Sequence, residues 1–390
     1  MELKNNLHLA YCTNIHRGEG WQETFAALEK YVLGVKAEVA PGSPYAIGLR
    51  LGRKAAEELC EPGEGNLSNF RHWLDKNNCY VFTINGFPYG NFHGKRIKEQ
   101  VYRPDWTSPQ RLAYTKLLFD IIAELVPDGI SGSVSTLPGS FKEFITDDAA
   151  QGAAIIDNLA SCAEHILNLA EKTGKDLHLG LEPEPIGWFE TSAETVAFFE
   201  RFRDTYGGKF DSVLGVNYDT CHLAVEFEEP AKAIGTILAA GIRISKIHLS
   251  SALKLVPDAT VLARLEDFQE DVYLHQVVAR DRDGGLRRYR DLPDALEAAR
   301  NQPGRVEEQW RVHFHIPLYS EPAGGLEDTR DHIEGLLDLL REDPSICCHL
   351  EMETYTWEVL PGKLHCVDVV EQLRREYEWT LGQLSQRGLA

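Results

Sequence analysis

Short apolar runs of strand length alternate with segments of helical period along most of the 390 residues. The runs are LHLAYCTN (7–14), YAIGLRLG (45–52), YVFTING (80–86), ISGSVSTL (130–137) and DLHLGLEPEP (176–185). They continue as VLGVNYD (213–219), ISKIHLS (244–250), RVHFHIPL (311–318) and ICCHLEMET (346–354). Between them lie helical stretches such as 108–126, 153–174 and 193–207, the last two closing on Gly174 and Gly207, where a C-cap is expected. Strand–helix alternation of this kind means a parallel sheet, either an open doubly wound one or a closed (β/α)8 barrel.

Two features favour the barrel. No GxGxxG or GxxxxGK[ST] run follows the first strand, so the phosphate-binding signatures of open nucleotide-binding sheets are missing. The second is how the later strands sort, since successive residues face opposite sides. Cys348, Leu350 and Met352 oppose Cys347, His349, Glu351 and Glu353; Leu177, Leu179 and Leu181 oppose His178, Gly180, Glu182 and Glu184. Leu214, Val216 and Tyr218 oppose Val213, Gly215, Asn217 and Asp219. Ile247 and Leu249 oppose Lys246 and His248, and Val312, Phe314 and Ile316 oppose His313 and His315. An outer helix layer takes the apolar sets. The polar sets then face the interior, and those near strand C-termini line the mouth where barrel active sites lie. A solvent-exposed antiparallel sheet would alternate in the same way, but helices between nearly all the strands argue against it. The expected fold is an α/β protein, one (β/α)8 TIM barrel over residues 1–390.

Nine strands compete for eight places. Residues 254–310 depart from the pattern, and YLHQVVARDRDGGLRRYRDL (273–292) reads as a hairpin turning at Gly284-Gly285. Residues 254–320 are expected to form an insertion after strand seven, with 311–318 either part of it or a displaced barrel strand.

The acidic balance bounds the partners. A formal charge of −20 argues against nucleic acid and against an anionic membrane surface, both of which need basic protein surface. No apolar run reaches the length of a membrane span, and MELKNNLHLAYCTN lacks the basic flank and apolar core of a signal peptide. The eight cysteines are scattered without CxxC spacing. A cytoplasmic protein with reduced thiols is expected.

Each later strand ends in a metal-ligand type: Glu182 and Glu184, Asp219, His248, then Glu351 and Glu353. Carboxylates with an imidazole suit Mn2+, Mg2+, Co2+ or Zn2+. Gathered without a cation, these acids would raise one another's pKa, and a divalent ion removes that difficulty. Singly, each has a plainer reading: Asp219 as a turn former or N-cap, His248 as a core histidine, Glu-Pro-Glu-Pro as a rigid loop. Their recurrence at one depth on consecutive strands is what a turn does not explain. Candidate contacts to a small polar substrate are Glu184 itself, Asn14 and His16 after strand one, Asn85 and His93 around the loop after strand three, and His313 and His315. The loop 86–94, with Phe87 and Tyr89, reads equally as a surface loop packed by its own aromatics. His313 and His315 read equally as core histidines.

LEPEP (181–185), DTCH (219–222) and KIHLS (246–250), with a glutamate on the last strand, resemble the xylose-isomerase-like TIM-barrel superfamily. That superfamily includes ketose 3-epimerases, hydroxypyruvate isomerases, inosose dehydratases and endonuclease IV. The ketose 3-epimerases are similar at Leu181-Glu182-Pro183, at Phe189-Glu190 and at Asp219-Thr220-x-His222, although the interval from Glu182 to Glu190 is longer here. The resemblance implies Glu182, Asp219, His248 and one of Glu351 or Glu353 as metal ligands, with Glu353 preferred at the strand end. It implies His222 and Glu190 as contacts to substrate oxygens. Over its full length the chain resembles the E component of the ebo-type gene cluster (EboE), a metabolite traffic protein. The stretches that carry this are TNIHRGEGW (13–21), NGFPYGNFHG (85–94), STLPGSFK (135–142), VNYDTCHLAVEFE (216–228), VHFHIPLY (312–319) and LEMETYTW (350–357). This narrower resemblance implies a role in secondary-metabolite export or precursor handling, with assembly alongside other proteins of the cluster, and supplies no reaction.

The leading expectation is a metal-dependent isomerase or epimerase acting on a small hydroxy-carbonyl metabolite through an enediolate. Glu182 and the last-strand glutamate, Glu351 or Glu353, would pass the proton. One alternative is metal-dependent phosphoester hydrolysis as in the endonuclease IV branch, for which His16, His93, His222, His248, His313 and His315 offer ligands. The other is a non-catalytic barrel that binds or hands over a metabolite.

Overall fold

Alternating apolar and polar residues build the barrel strands. In the computed structural model, which describes residues 1–302, 307–366 and 368–390, the first seven are β1 (His8–Tyr11), β2 (Tyr45–Arg50), β3 (Cys79–Asn85), β4 (Gly132–Thr136), β5 (Leu177–Leu181), β6 (Leu214–Asp219) and β7 (Arg243–Leu249). The chain then forms β8 (Ser251–Leu255), β9 (Val277–Asp281), β10 (Leu286–Tyr289), β11 (Glu307–Ile316) and β12 (Leu326–Asp328) before returning as β13 (His349–Met352). β1 to β7 and β13 make one eight-stranded parallel sheet. β13 pairs with both β7 and β1, placing Glu351 opposite His248 and Ala10. The ring closes between β1 and β2 through the bridge Cys12–Gly48 and the hydrogen bond from Arg50 N–H to Thr13 Oγ1, 2.8 Å.

The helices between strands start where their caps predict. Ser108 accepts from Gln110 N–H ahead of Pro109–Leu125, Asp147 caps Asp148–Thr173, and Thr191 with Glu194 forms a capping box at Ser192–Tyr206. Leu177, Leu179, Leu181, Val216, Ile247, Leu249, Leu350 and Met352 pack outward against this layer in one core. Each such burial contributes roughly 1.5–3 kcal/mol. The opposite sets fill the interior with paired polar groups. His349 bonds Ser133 Oγ at 2.8 Å and Ser131 Oγ at 2.9 Å. Val216 faces Ile244 and Asn217 faces Lys246, so Ser245 is an extra residue on β7; it reaches His178 at 2.5 Å.

The second sheet has the order β10-β9-β11-β8-β12, and its pairings are antiparallel. Of the 311–318 run, residues 311–316 therefore belong to this sheet and not to the barrel, while Leu318 packs in the barrel's core. Val312, Phe314 and Ile316 pack into its own core with Leu253, Leu255 and Leu296, while His313 and His315 face the barrel mouth. The β9–β10 turn lies at Asp281–Gly285, with Gly284 at φ 85°. The sheet runs from Ser251 to Asp328, wider than 254–320. Ser250 alone separates β7 from β8, so no glycine or proline marks where the chain leaves the barrel. Every cysteine is a free thiol, and among the described residues no helix is long and apolar enough to cross a membrane.

Ion pairs hold the second sheet over the mouth. Arg288 of β10 meets Glu226 and Glu190, Lys142 meets Glu190 and Glu194, and Lys98 bonds Asp291 Oδ2 at 2.7 Å. Burial, and then the Glu190 charge, push the Glu226 carboxyl up to about 8 against the opposing Arg288. Burial also works on Glu190, but the Ile186 backbone and Lys142 outweigh it and hold that carboxyl below its ordinary value. A carboxyl with a raised folded pKa binds its proton more tightly folded than unfolded. Its contribution to stability is therefore lost as pH rises from the ordinary carboxylate range through about 8. Thermal melts between pH 5 and 9 are expected to show Tm falling over that interval, with a flatter slope in Glu226→Gln. An unchanged slope in the variant would remove Glu226 as a cause.

Candidate metal centre and its cavity

Four strand ends bring their side chains to one point. Glu182 follows β5, its N–H bonded to Thr136 O at 2.9 Å. Asp219 ends β6 and caps the short helix Thr220–Val225. His248 is the penultimate residue of β7, and Glu353 follows β13 with its N–H on Leu249 O at 3.1 Å. One ligand atom from each of the four lies within 4.8 Å of the others, and all four residues are buried.

Each carboxylate has one oxygen tethered and one directed inward. Glu182 Oε2 accepts from Asn217 Nδ2 (2.7 Å), and Glu353 Oε1 from Asn14 Nδ2 (2.8 Å) and Asn85 Nδ2 (3.0 Å). Asp219 Oδ1 accepts from the N–H groups of Cys221 (2.7 Å) and His222 (3.1 Å) and from Ser250 Oγ (2.5 Å). The other oxygens surround His248 Nδ1: Glu182 Oε1 at 3.2 Å, Glu353 Oε2 at 3.3 Å and Asp219 Oδ2 at 3.4 Å. Asp219 Oδ2 accepts no hydrogen bond among the described residues.

On the far side of the ring, His248 Nε2 lies 2.8 Å from Glu351 Oε2, which also accepts from Lys246 Nζ at 2.6 Å. A carboxylate only accepts, so Nε2 carries the proton, and in the neutral imidazole Nδ1 is the free ligand atom. Burial would raise the Glu351 carboxyl, but Lys246 and the His248 hydrogen bond outweigh it and bring it down to about 2. Burial would likewise lower His248, yet Glu353 and Glu182 hold it well above its ordinary value. Asp219 stays well below the carboxylate range because His222 and His248 outweigh its burial. Gly48 of β2 makes room for this carboxylate, since a Cβ there would stand 1.9 Å from Glu351 Oε1.

A second group of ligand atoms adjoins the first. The Nδ1 atoms of His222, His313 and His315 face Pro183 O (3.1 Å), Gln276 Oε1 (2.6 Å) and Glu353 O (2.9 Å). All three partners are acceptors, and the Gln276 amide is oriented by its own bond to Pro185 O at 3.0 Å. In the neutral rings the Nε2 atoms are therefore the free ones, and those of His313 and His315 stand 3.2 Å apart. Asp219, His222 and His315 form a further set within 4.8 Å, as do Glu184, His222 and His313. These residues could hold a second ion beside the first.

A cavity opens in front of the four-residue cluster. Asn14, Asn85, Glu184, His222 and His313 line it, together with Glu182 and Glu353. Phe87 and Phe92 from the loop after β3, with Tyr102, Tyr273 and Tyr355, form its apolar wall. Burial pushes the Glu184 carboxyl up to about 7. The expected contacts His16, His93, Glu190 and His315, and the alternative ligand Glu351, do not line this cavity. A 3-10 turn at Thr13–Ile15 turns Asn14 inward and leaves His16 stacked on Tyr31 at 4.5 Å, bonded to the Tyr11 hydroxyl. His93 links Asn14 O to the Tyr273 hydroxyl, a latch between the loop and the second sheet. Glu190 is engaged by Lys142 and Arg288, and Glu351 by Lys246 and His248. Residues that sequence reasoning did not single out include Lys246, Asn217, Ser250 and Tyr102. The first two stand in the inward polar sets, a signal that was available; Ser250 and Tyr102 lie outside the strands, where no period marks them.

No family model and no curated protein matches the sequence. Among solved structures, the D-psicose 3-epimerase of Clostridium cellulolyticum, solved with D-tagatose, superposes with TM-score 0.53 at 12% identity, over 98% of this chain and 100% of that one. A D-tagatose 3-epimerase-like protein gives TM-score 0.51 at 12% identity over 98% of each chain. AsbF from Bacillus anthracis, a probable 3-DHS dehydratase involved in petrobactin synthesis, gives 0.52 at 10% identity over 96% of this chain and 99% of that one. Likeness at this level of identity lies in the fold: the chain shares the TIM barrel of these proteins and carries a second sheet over its mouth.

Proposed function

We propose that the protein is a divalent-metal-dependent isomerase or epimerase of a small hydroxy-carbonyl metabolite. The observation that carries this is the convergence of Glu182 Oε1, Asp219 Oδ2 and Glu353 Oε2 on His248 Nδ1, with Nε2 of the same ring held by Glu351. Three carboxylates and an imidazole fit Mn2+, Mg2+, Co2+ or Zn2+, and Asp219 Oδ2, buried and accepting no hydrogen bond among the described residues, is free to take a cation. An ion bound there supplies Lewis-acid polarisation of neighbouring carbonyl and hydroxyl oxygens.

The chain's own groups do the rest. Glu182 and Glu353 come from β5 and β13, on different sides of the cavity, so one carboxylate can take a proton from carbon and the other return one. Asn217, Asn14 and Asn85 fix their orientation through the tethered oxygens. Glu351 sets the His248 ring, and His222 on the cavity wall orients a substrate oxygen. Phe87, Phe92 and Tyr355 limit water. We place the metabolite in secondary-metabolite synthesis or transport, a reading supported by the sequence resemblance to the ebo-cluster component alone. The imidazole group of His222, His313 and His315 favours a second reading, phosphoester hydrolysis with more than one ion.

Elemental analysis and Tm of chelator-treated protein titrated with Mn2+ or Zn2+ test the centre. One ion per chain and a rise in Tm are expected, with Asp219→Asn and Glu353→Gln each weakening affinity on the order of 100-fold. An absent ion with an unmoved Tm would end the metal reading. Two or more ions, with hydrolysis of p-nitrophenyl phosphate, would favour the phosphoesterase instead. The role of Glu351 separates from stability by a paired change. Glu351→Gln alone leaves Lys246 a buried, unpaired charge and is expected to cost about 3–5 kcal/mol. The double variant Lys246→Met, Glu351→Gln is expected to fold and to bind Mn2+ about 10–100-fold more weakly, read by calorimetric titration. Undiminished affinity in the double variant would limit Glu351 to a structural role.

A further inference from the structure

Glu184 is a buried carboxyl with one oxygen, Oε2, that accepts no hydrogen bond among the described residues. It stands two residues beyond Glu182 and is 7% exposed. The fully buried Tyr102 hydroxyl lies beside it, close enough to interact with the carboxyl, and makes no regular hydrogen bond among the described residues. The neighbouring imidazoles direct their protons elsewhere. His313 Nδ1, 3.7 Å from Glu184 Oε1, donates to Gln276 Oε1, and His222 Nδ1 donates to Pro183 O. Glu184 and Tyr102 both line the cavity, where the rings of Phe87, Phe92, Tyr273 and Tyr355 form the wall. A buried carboxyl left like this is unfavourable until a donor or a cation reaches it.

The charges around the cavity indicate which. Lys98, the ammonium that borders it, is bonded to Asp291 Oδ2 at 2.7 Å and to Glu270 O at 3.0 Å. Glu182, Asp219 and Glu353 outweigh one divalent ion, and Glu184 adds to the excess. A cavity of that sign, walled by ring faces, selects a cation over a phosphate or a carboxylate. We infer that the part of the cavity beyond Glu182 is a subsite for a protonated primary amine on the substrate, held by Glu184 Oε2 and the Tyr102 hydroxyl against the surrounding rings. The substrate is then an amino-polyol whose hydroxy-carbonyl end meets the metal centre, an assignment that rests on the function proposed above.

The test titrates 1-amino-1-deoxy-D-sorbitol, D-sorbitol and D-sorbitol 6-phosphate calorimetrically into the whole protein, with and without Mn2+. The amine is expected to bind about tenfold more tightly than sorbitol. Glu184→Gln is expected to abolish the preference, read in the absence of ion, and Tyr102→Phe to reduce it. Equal binding of amine and sorbitol, tighter binding of the phosphate, no binding of the amine, or a preference that survives Glu184→Gln overturns the inference. The preference is also read without ion. A protein that ignores Mn2+ but keeps the amine preference therefore loses the metal centre and retains the subsite.

Discussion

Four carboxylates buried at one end of a barrel cannot all keep their charge unless cations stand among them. Glu182, Asp219, Glu351 and Glu353 are in that position, each at most 5% exposed. Lys246 answers the deepest, Glu351, in an ion pair that has no exposure at all. His248 bridges the two layers, with Nε2 on Glu351 and Nδ1 among the other three acids. Much of the surrounding architecture serves this stack. Gly48 leaves the volume that Glu351 occupies, and a Cβ at Gly180 would press to 2.9 Å from the backbone N of Asn217, the residue that tethers Glu182. In the upper layer no lysine or arginine among the described residues pairs with the three acids, and His248 Nδ1 is the group that faces them.

The second sheet changes what a barrel mouth of this kind can do. It supplies His313 and His315, and the segment leading into β9 supplies Tyr273, which meets His93 from the opposite loop. An open cleft becomes a walled cavity, where charges act through less water and therefore more strongly. The cover is held by the charges of Arg288, Lys142, Glu190 and Glu226 as well as by apolar packing. Glu190 is thereby drawn out of the cavity wall, and Glu184 stands there instead. A barrel fold shared with ketose epimerases does not by itself identify the substrate.

The strand pattern was legible because side-chain direction in a strand follows from parity alone. Parity put Glu182, Asp219 and His248 on one face, and the glutamate pair on β13 on the same face. It also put Lys246 there, though without a partner in the sequence to give it meaning. Beyond the strands parity stops. His16 and Asn14 are two residues apart after β1, yet one stacks on Tyr31 and the other holds Glu353, because a 3-10 turn intervenes.

What the sequence by itself determined was the parallel barrel, the inward sets of its later strands, and the hairpin at Gly284-Gly285, since periodicity and turn chemistry are local. What only the tertiary structure decided was the choice between neighbours of equal chemistry. Glu353 joins the cluster and Glu351 takes Lys246, Glu184 faces the cavity and Glu190 the clasp, and 311–316 leaves the barrel for the second sheet. Each of these turns on which residue distant in the chain arrives within hydrogen-bond reach, and hydrogen bonds and charge pairing act over distance in space, not along the sequence.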